Sequence, residues 1–589
     1  MSESRAGGSE RVLGLAASPG RVLGELKRIE WDLPTPQHRT ITAGDMDVEI
    51  ARFDEARRAA RQRVEVLRAE TAASLGEVEA KIFDAQLLML EDPDLIGGTT
   101  RYIRENFLAA DRAFDWRITE LRTQMLDVGH LMIIDRMADL MDVRFRVLSH
   151  LMGKGGDVVT LPTDPAILVF DDLTPSMAVR LDPQIALGLV IGAGSRTTHS
   201  AVLARSMGIP AVVGVGRKLS RLEDGALALI DGGSGKIIVR PTAREIEAHG
   251  EMERRLSHVR DQLSDQKAEP IRTVDGVRIA IRANLDQPHD VKAARRVAAE
   301  GVGLFRSEFL VIGQRVIPSE KEQFDAYRAV VDGFPDHPVT LRTFDIGGDK
   351  FPLFLEMPPE ENPYLGWRAI RVCLDLPDLF RNQIRAAVRA GGKDGRLRIL
   401  IPFVTTVDEV LRTREILDDV AVGVGVDPAS VKMGIMVETP AVVETIDLIA
   451  PHIDFVSLGT NDLCQYTLAV DRGNARLAHL SDPLHPALIR SYAAIHARAS
   501  AAGLDISVCG DLATDSVGLA ILVGLGYRDF SVAPMAIPEI RELLGTLSAA
   551  DLSRICANLD DPGRVATLQD RVERYLDQTV PFETSRLSQ

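Results

Sequence analysis

The chain has 589 residues, of which 45% are hydrophobic and 26% charged, and its formal net charge is −16. One hydrophobic core does not organise a chain this long, so about two to four domains of ordinary globular composition are expected. The acidic balance disfavours nucleic acid and anionic membrane as partners; it suits a basic protein partner, or serves only solubility. The four cysteines lie far apart without metal-binding spacing, and there is no signal peptide and no run of about 18 apolar residues. We therefore expect a cytoplasmic protein without a disulfide framework, a zinc site or membrane insertion.

The first part of the chain predicts a strand followed by a helical insertion. Residues 1–11 are polar and predicted to be disordered, and Val12–Gly20 is typical of a strand and turn. From residue 43 to 153, apolar positions recur three and four apart with alternating charge on the other face. This pattern predicts an antiparallel bundle of about four helices inserted into an α/β domain.

Residues 154–240 predict a small α/β unit. Gly153–Asp157 is a candidate hinge, and Ala166–Phe170 and Ala186–Ile191 are short apolar strands. Leu227–Val239 is typical of a hairpin with a glycine-rich turn. The charged segment 241–270 that follows is predicted to be a linker helix.

A histidine stands in the middle of this unit, in the stretch Gly192–Gly214. The stretch predicts a loop, a helix that ends at Gly208 and Pro210, and a short buried strand at Ala211–Val213. His199 then lies at or near a helix amino terminus, where unpaired N–H groups and the positive dipole end favour an anion. An imidazole there could accept a phosphoryl group; the alternative is a capping histidine in a surface turn.

The remainder of the chain, 271–589, alternates strands with helices. Eight such alternations over about 320 residues favour a (β/α)₈ (TIM) barrel, with a doubly wound open sheet as the alternative. The predicted strands are Val277–Leu285, Gly301–Phe309, Val339–Ile346, Leu397–Val404, Met433–Glu438, Phe455–Asn461, Ile506–Asp511 and Tyr527–Val532.

Polar residues follow at the carboxyl ends of these strands, where a barrel has its active site. Five strand ends share arginines and carboxylates, which is more than chance surface charge explains. Arginines make bidentate contacts with phosphate and carboxylate, and two carboxylates supply oxygen ligands for Mg²⁺. The residues concerned are Arg306, Arg342, Asp345, Glu438, Asn461, Asp462, Arg472, Cys509 and Asp511.

Several long motifs give the chain a family resemblance. The stretch around His199 resembles the phosphohistidine signature of the phosphoenolpyruvate-utilising enzymes, with Ser195 and Thr198 as departures. From about Val12 onward the chain resembles the Enzyme I family of bacterial phosphoenolpyruvate–protein phosphotransferases. The other matching motifs are Gly301-Val-Gly-Leu-Phe-Arg-Ser-Glu-Phe-Leu, Arg342-Thr-Phe-Asp-Ile-Gly-Gly-Asp-Lys, Glu361-Asn-Pro-Tyr-Leu-Gly-Trp-Arg-Ala-Ile-Arg, Gly434-Ile-Met-Val-Glu-Thr-Pro and Gly459-Thr-Asn-Asp-Leu-Cys-Gln-Tyr.

The resemblance implies roles for individual residues. It implies that His199 becomes phosphorylated, that Cys509 donates a proton to the enolate, and that Glu438 and Asp462 hold Mg²⁺. It implies that phosphoenolpyruvate is bound by Arg306, Arg342, Asn461, Asp462, Arg472 and Lys350. The family's Cys-Gly-Glu is Cys-Gly-Asp511 here, one methylene shorter, which leaves the contact of that carboxylate open.

The resemblance also implies a domain plan and partners. The helical subdomain 43–153 would dock the small phosphocarrier protein HPr, residues 12–42 and 154–240 would form the phosphohistidine domain, and the barrel 271–589 would bind phosphoenolpyruvate and dimerise. The expected activity is autophosphorylation followed by transfer to HPr, with release of pyruvate, as the first step of sugar uptake.

Three alternative functions stay open on the sequence alone. One is a nitrogen-regulatory Enzyme I, although no sensor domain is seen. A pyruvate phosphate dikinase or phosphoenolpyruvate synthase would have an ATP-binding domain before the histidine domain, where only about 150 residues stand and no Walker-type glycine loop is found. A non-enzymatic scaffold would not need His199, Cys509, Glu438 and Asp462 intact.

Overall fold

The structure is a computed structural model that describes most of the chain. The described residues are 9–18, 20–29, 35–36, 39–74, 80–128, 132–153, 161–178, 180–193, 201, 203–204, 207–251, 253–254, 270–312, 316–348, 352, 354–355, 360–471, 477 and 480–579. They divide into two compact units, 1–246 and 247–589. Each unit has its own sheet and its own hydrophobic core.

The first unit is built on an eight-stranded mixed sheet of order β1-β8-β7-β3-β4-β5-β6-β2. The opening strands pair with the far end of the unit, β1 with β8 (Val12 opposite Ile237) and β2 with β6 (Leu15 opposite Val213). The strands are β1 Glu10–Leu13, β2 Leu15–Ser18, β3 Arg21–Arg28, β4 Ala166–Phe170, β5 Ala186–Ile191, β6 Ala211–Val213, β7 Leu227–Asp231 and β8 Lys236–Val239.

A helical bundle is inserted between β3 and β4, as the sequence predicts. Its helices are Met46–Ser74, Asp84–Glu91, Pro93–Asn106, Ala110–Val128 and Met132–Leu151. The sequence predicted about four; the additional boundary lies at Asp92, whose carboxylate accepts a hydrogen bond from the Asp94 amide at 2.8 Å, with Pro93 as the first helical residue. Phe107 in the left-handed conformation (φ 54°) then ends the helix.

Two details of this unit differ from the prediction. The first strand begins at Glu10, two residues before the predicted start and inside the stretch expected to be disordered. Strand β3, which pairs with β7 and β4, was not predicted at all. Its sequence RVLGELKR buries only one residue fully, so its conformation follows from pairing with strands about 140 to 200 residues away and not from local patterning.

The second unit is a closed barrel of eight parallel strands, which confirms the predicted (β/α)₈ fold. Neighbouring strands pair in sequence order from β10 to β17, and β10 closes the ring by pairing with both β11 and β17. The short strand β9, Ile271–Arg272, adds to β10 in the antiparallel direction. The barrel strands are β10 Arg278–Leu285, β11 Val302–Arg306, β12 Val339–Arg342, β13 Leu397–Ile401, β14 Lys432–Val437, β15 Phe455–Leu458, β16 Asp505–Val508 and β17 Asp529–Val532.

The helices around the barrel have clear local start and stop signals. Ser319 with Glu322, and Thr406 with Glu409, form capping boxes, and Gly526 (φ 109°) ends the helix Ser516–Leu525. The helices are Val291–Arg296, Glu320–Gly333, Ile370–Asp375, Pro377–Gly391, Val407–Gly423, Pro440–Ile449, Thr460–Leu468, Pro486–Ala501, Ser516–Leu525, Ile537–Thr546, Ala549–Ile555, Pro562–Ala566 and Leu568–Thr579.

The main core of this unit lies between the strands and the helices. A smaller cluster, formed by Leu304, Leu400, Met436, Phe455 and Cys509, contains residues of four barrel strands and the residue after β16. Among the described residues, no helix combines the length and the apolar character needed to cross a membrane.

The two separate cores predict separable unfolding. Phe114 in the helical bundle and Phe380 in the barrel unit are both fully buried. Phe114→Ala should lower the stability of the first unit by about 3–5 kcal/mol and leave the barrel transition unchanged, and Phe380→Ala should do the reverse. Differential scanning calorimetry of the full chain measures both. If either substitution shifts all of the unfolding together, the two units do not unfold independently.

Candidate active site

The carboxyl-terminal rim of the barrel gathers the polar residues that the sequence predicts there. Arg306 and Arg342 are the last residues of β11 and β12, and Glu438 and Cys509 directly follow β14 and β16. Asn461 and Asp462 lie in the first turn of the helix after β15. Because parallel strands of a closed barrel end on one rim, these side chains come close enough to shift one another's pKa values.

The two arginines are both held by carboxylates, Arg342 buried and Arg306 half-buried. Arg342 forms an ion pair with Glu308 and lies 3.5 Å from Asp345, while Arg306 donates to Asp286 at 3.2 Å. Burial alone would lower the pKa of each guanidinium, and the neighbouring carboxylates more than offset that effect. Both arginines therefore stay charged, which suits them to bind an anion.

A third arginine at this rim, Arg368, belongs to the motif that begins at Glu361, but the sequence did not predict a role for it. It is fully buried and donates to Asp345 at 2.9 and 3.1 Å and to Asp462 at 3.2 Å. Its guanidinium lies 5.1 Å from the centre of the Phe403 ring. Arg368 thus joins the carboxylate after β12 to the carboxylate after β15. Its position inside a matching motif was the one feature of the sequence that pointed to a role for it.

Glu438 is a buried carboxylate with one oxygen free among the described residues. The Phe403 amide donates to Oε1 at 2.6 Å, and Oε2 is buried without a hydrogen-bond partner there. Burial, followed by repulsion from Asp462 and Asp345, raises the pKa of Glu438 to about 7. An unsatisfied oxygen among repelling carboxylates fits a hard divalent cation that prefers oxygen ligands.

Asn461 and Asp511 are joined by reciprocal hydrogen bonds. The Asn461 amide donates to the Asp511 carboxylate at 2.9 Å, and the Asp511 main-chain amide donates to Asn461 Oδ1 at 3.1 Å. The shorter side chain of Asp511, where the family has glutamate, therefore has a definite contact, and that contact fixes the orientation of Asn461.

Cys509 directly follows β16 and lies at this rim of the barrel. Its thiol is buried and donates to the Leu458 carbonyl at 3.6 Å. Burial raises the pKa of the thiol to about 11, against the opposing effects of a Ser457 hydrogen bond and of Arg342 and Arg306. The thiol therefore keeps its proton at neutral pH, as a proton donor must. Cys373 and Cys556 instead lie in the core between strands and helices, where they donate to the carbonyls of Phe344 and Ile521.

Three of the predicted site residues, His199, Lys350 and Arg472, lie outside the described residues. The segments that flank His199 are described. The Gly192 amide donates to Phe170 at 2.9 Å, and a side chain at Gly192 would come within 2.9 Å of the Asp171 carbonyl, so only glycine fits. The strand predicted after the helix is present as β6.

Comparison with protein families gives three matches in chain order. Residues 13–136 match the amino-terminal domain of PEP-utilising enzymes, residues 162–235 match their mobile domain, and residues 260–549 match their PEP-binding domain. Three curated relatives, each named phosphoenolpyruvate-protein phosphotransferase, align over most of the chain. They come from Priestia megaterium (35% identical, covering 92% of this chain and 95% of the relative), Bacillus subtilis (35%, 92% and 95%) and Haemophilus influenzae (32%, 96% and 99%).

These relatives exceed 30% identity and align over more than nine-tenths of both chains. The three matched regions cover, in chain order, the opening strands with most of the helical insertion, the later strands of the first sheet, and the barrel. The chain therefore belongs to the phosphoenolpyruvate–protein phosphotransferase family of PEP-utilising enzymes.

Proposed function

We propose that this enzyme takes the phosphoryl group of phosphoenolpyruvate onto His199 at the barrel rim and passes it to a histidine of an HPr-like carrier. The observation that carries the proposal is the rim itself. Two charged arginines and a protonated thiol lie there beside a carboxylate oxygen that has no hydrogen-bond partner among the described residues. Phosphoenolpyruvate has a phosphate, a carboxylate and a carbon that must be protonated, and the rim offers a group for each.

The proposed chemistry follows from these groups. Arg306, Arg342, Asn461 and Arg472 bind and orient the phosphate and carboxylate, with Asp462 and Lys350 beside them. An imidazole nitrogen of His199 forms a bond to phosphorus as the bond from phosphorus to the C2 oxygen breaks. The enolate that leaves takes the proton of the Cys509 thiol at C3, which gives pyruvate.

Glu438 and Asp462 would hold Mg²⁺, which when bound supplies positive charge beside the phosphoryl and carboxylate oxygens. Arg368 donates hydrogen bonds to both Asp345 and Asp462 and so holds their carboxylates in place. Its guanidinium balances part of the negative charge of these carboxylates when the metal is absent.

The partners and assembly are proposed from the family resemblance and from charge. The helical subdomain 43–153 docks the carrier. The negative net charge of the chain attracts a basic carrier protein and speeds its association. The barrel is proposed to form the homodimer, in the cytoplasm, with the carrier feeding sugar uptake. Nothing in the site favours the nitrogen-regulatory branch, and the curated relatives carry the phosphotransferase name and not that of a dikinase.

Replacing the proposed acid should separate the two half-reactions. Cys509→Ala should slow pyruvate formation from phosphoenolpyruvate by about 10²–10⁴-fold, because the enolate loses its proton donor. Phosphoryl exchange between a phosphorylated carrier and the enzyme needs no such proton and should survive. Both rates are measured with radiolabel on the full chain. Cys464→Ala, which changes a buried cysteine of the same unit, is the matched control. Equal loss of both rates in Cys509→Ala would make Cys509 a structural residue.

Replacing either proposed metal ligand should change the metal requirement. Glu438→Gln and Asp462→Asn each remove one charged oxygen ligand, so the Mg²⁺ concentration for half-maximal pyruvate formation should rise at least about tenfold. Asp447→Asn, an exposed carboxylate on the helix after Glu438, is the control and should leave it unchanged. Unaltered Mg²⁺ dependence in both variants would remove these residues from the metal site.

A further inference from the structure

A second charged cavity lies at the opposite end of the barrel from the reaction. Its volume is about 320 Å³, and it is lined by residues at or near the first positions of β10, β13, β15, β16 and β17. Four arginines and two aspartates line it, namely Arg278, Arg282, Arg398, Arg528, Asp505 and Asp529. None of them has a role in the proposed reaction.

Ion pairs account for three of these arginines. Each pair joins a guanidinium to a carboxylate at the amino-terminal end of the barrel, and Lys432 at the start of β14 also lies 3.9 Å from Asp505. The pairs are Arg282 with Asp529 at 2.7 Å, Arg398 with Asp505 at 3.1 Å and Arg278 with Glu300 at 2.7 Å. If these charges served only to close the amino-terminal end of the barrel, every arginine of the cavity would be expected to have a carboxylate partner.

Pairing is not complete. Arg528 donates to the carbonyls of Val523 and Tyr527, both at 2.7 Å, and has no ion pair among the described residues. Burial lowers the pKa of Arg528, and attraction to Asp275 offsets this effect only in part. Arg282 uses Nε and Nη2 for Asp529, and its Nη1 is buried with no partner in the described part of the chain. The cavity thus contains one guanidinium without an ion pair and one buried guanidinium nitrogen without a hydrogen-bond partner, both among the described residues.

A buried donor without a partner is costly, and so is a guanidinium without a counter-charge; an anion in the cavity would serve both. Arginine donors of fixed geometry match phosphate or carboxylate oxygens, and the cavity has room for a small metabolite. The Phe455 ring, with the Arg398 guanidinium 5.3 Å from its centre, adds an apolar wall for a short carbon skeleton. This concentration of arginine stands out in a chain whose net charge is −16.

We propose that this cavity binds a small dianion, bearing a phosphate or a pair of carboxylates, between Arg528 and Arg282. The ligand would link β10, β13, β16 and β17, which lie apart along the chain. It would therefore stabilise the barrel unit in proportion to its occupancy.

Titration calorimetry of the full chain, without Mg²⁺ and at low ionic strength, tests the proposal. Inorganic phosphate and succinate serve as separate probes, because they distinguish a phosphate ligand from a dicarboxylate ligand. Arg306→Gln removes an arginine of the carboxyl-terminal rim, so it weakens anion binding at that end and leaves the proposed cavity unchanged. We expect saturable binding of at least one probe that persists in Arg306→Gln and weakens about tenfold or more in Arg528→Gln.

A second variant excludes misfolding as the explanation. Asp505→Asn removes a carboxylate that repels the anion and leaves Arg398 without its ion pair, so it should tighten binding several-fold, an effect that a damaged fold cannot produce. The proposal is overturned if neither probe binds in Arg306→Gln. It is also overturned if Arg528→Gln binds as the wild type does, or if Asp505→Asn binds no more tightly.

Discussion

Closure of the parallel barrel is the constraint on which the rest of the site depends. Strand β10 pairs with β17 on one side and with β11 on the other, with Ile281 opposite Phe530 and Ala283 opposite Val302. Once the ring is closed, residues that lie up to about 200 positions apart in the chain must share one rim. The strand ends themselves therefore bring together Arg306, Arg342, Glu438 and Cys509.

Closure also forces like charges together, and Arg368 balances them. The guanidinium bridges Asp345 and Asp462 while Arg342 pairs with Glu308, so four buried carboxylates, including Glu438, face two buried arginines. Removing one partner of such a buried pair costs about 3–5 kcal/mol, because the remaining charge is left buried without compensation. The remaining negative charge is what makes the rim a place for a cation and for a substrate held by arginines.

The architecture could be predicted because its signals are local. Most of the barrel strands are short apolar runs, five of them end in polar residues, and all eight were predicted within a few residues of their observed bounds. Strand β3 could not be predicted, because its half-exposed sequence adopts a strand only through distant partners. Arg368 and the cavity at the amino-terminal end were missed for a related reason. Residues such as Arg278, Asp505 and Asp529 look like ordinary surface charges until the closed ring brings them together.

The central claim is that the phosphoryl group passes from phosphoenolpyruvate to His199, and locating the label on the full chain tests it most directly. The protein is incubated with radiolabelled phosphoenolpyruvate and Mg²⁺, and the labelled peptide is identified by mass spectrometry at alkaline pH, where phosphohistidine survives. The account predicts one acid-labile label, on His199, and none on His199→Ala, which should still bind phosphoenolpyruvate. Label on another histidine, or undiminished label on His199→Ala, would contradict it.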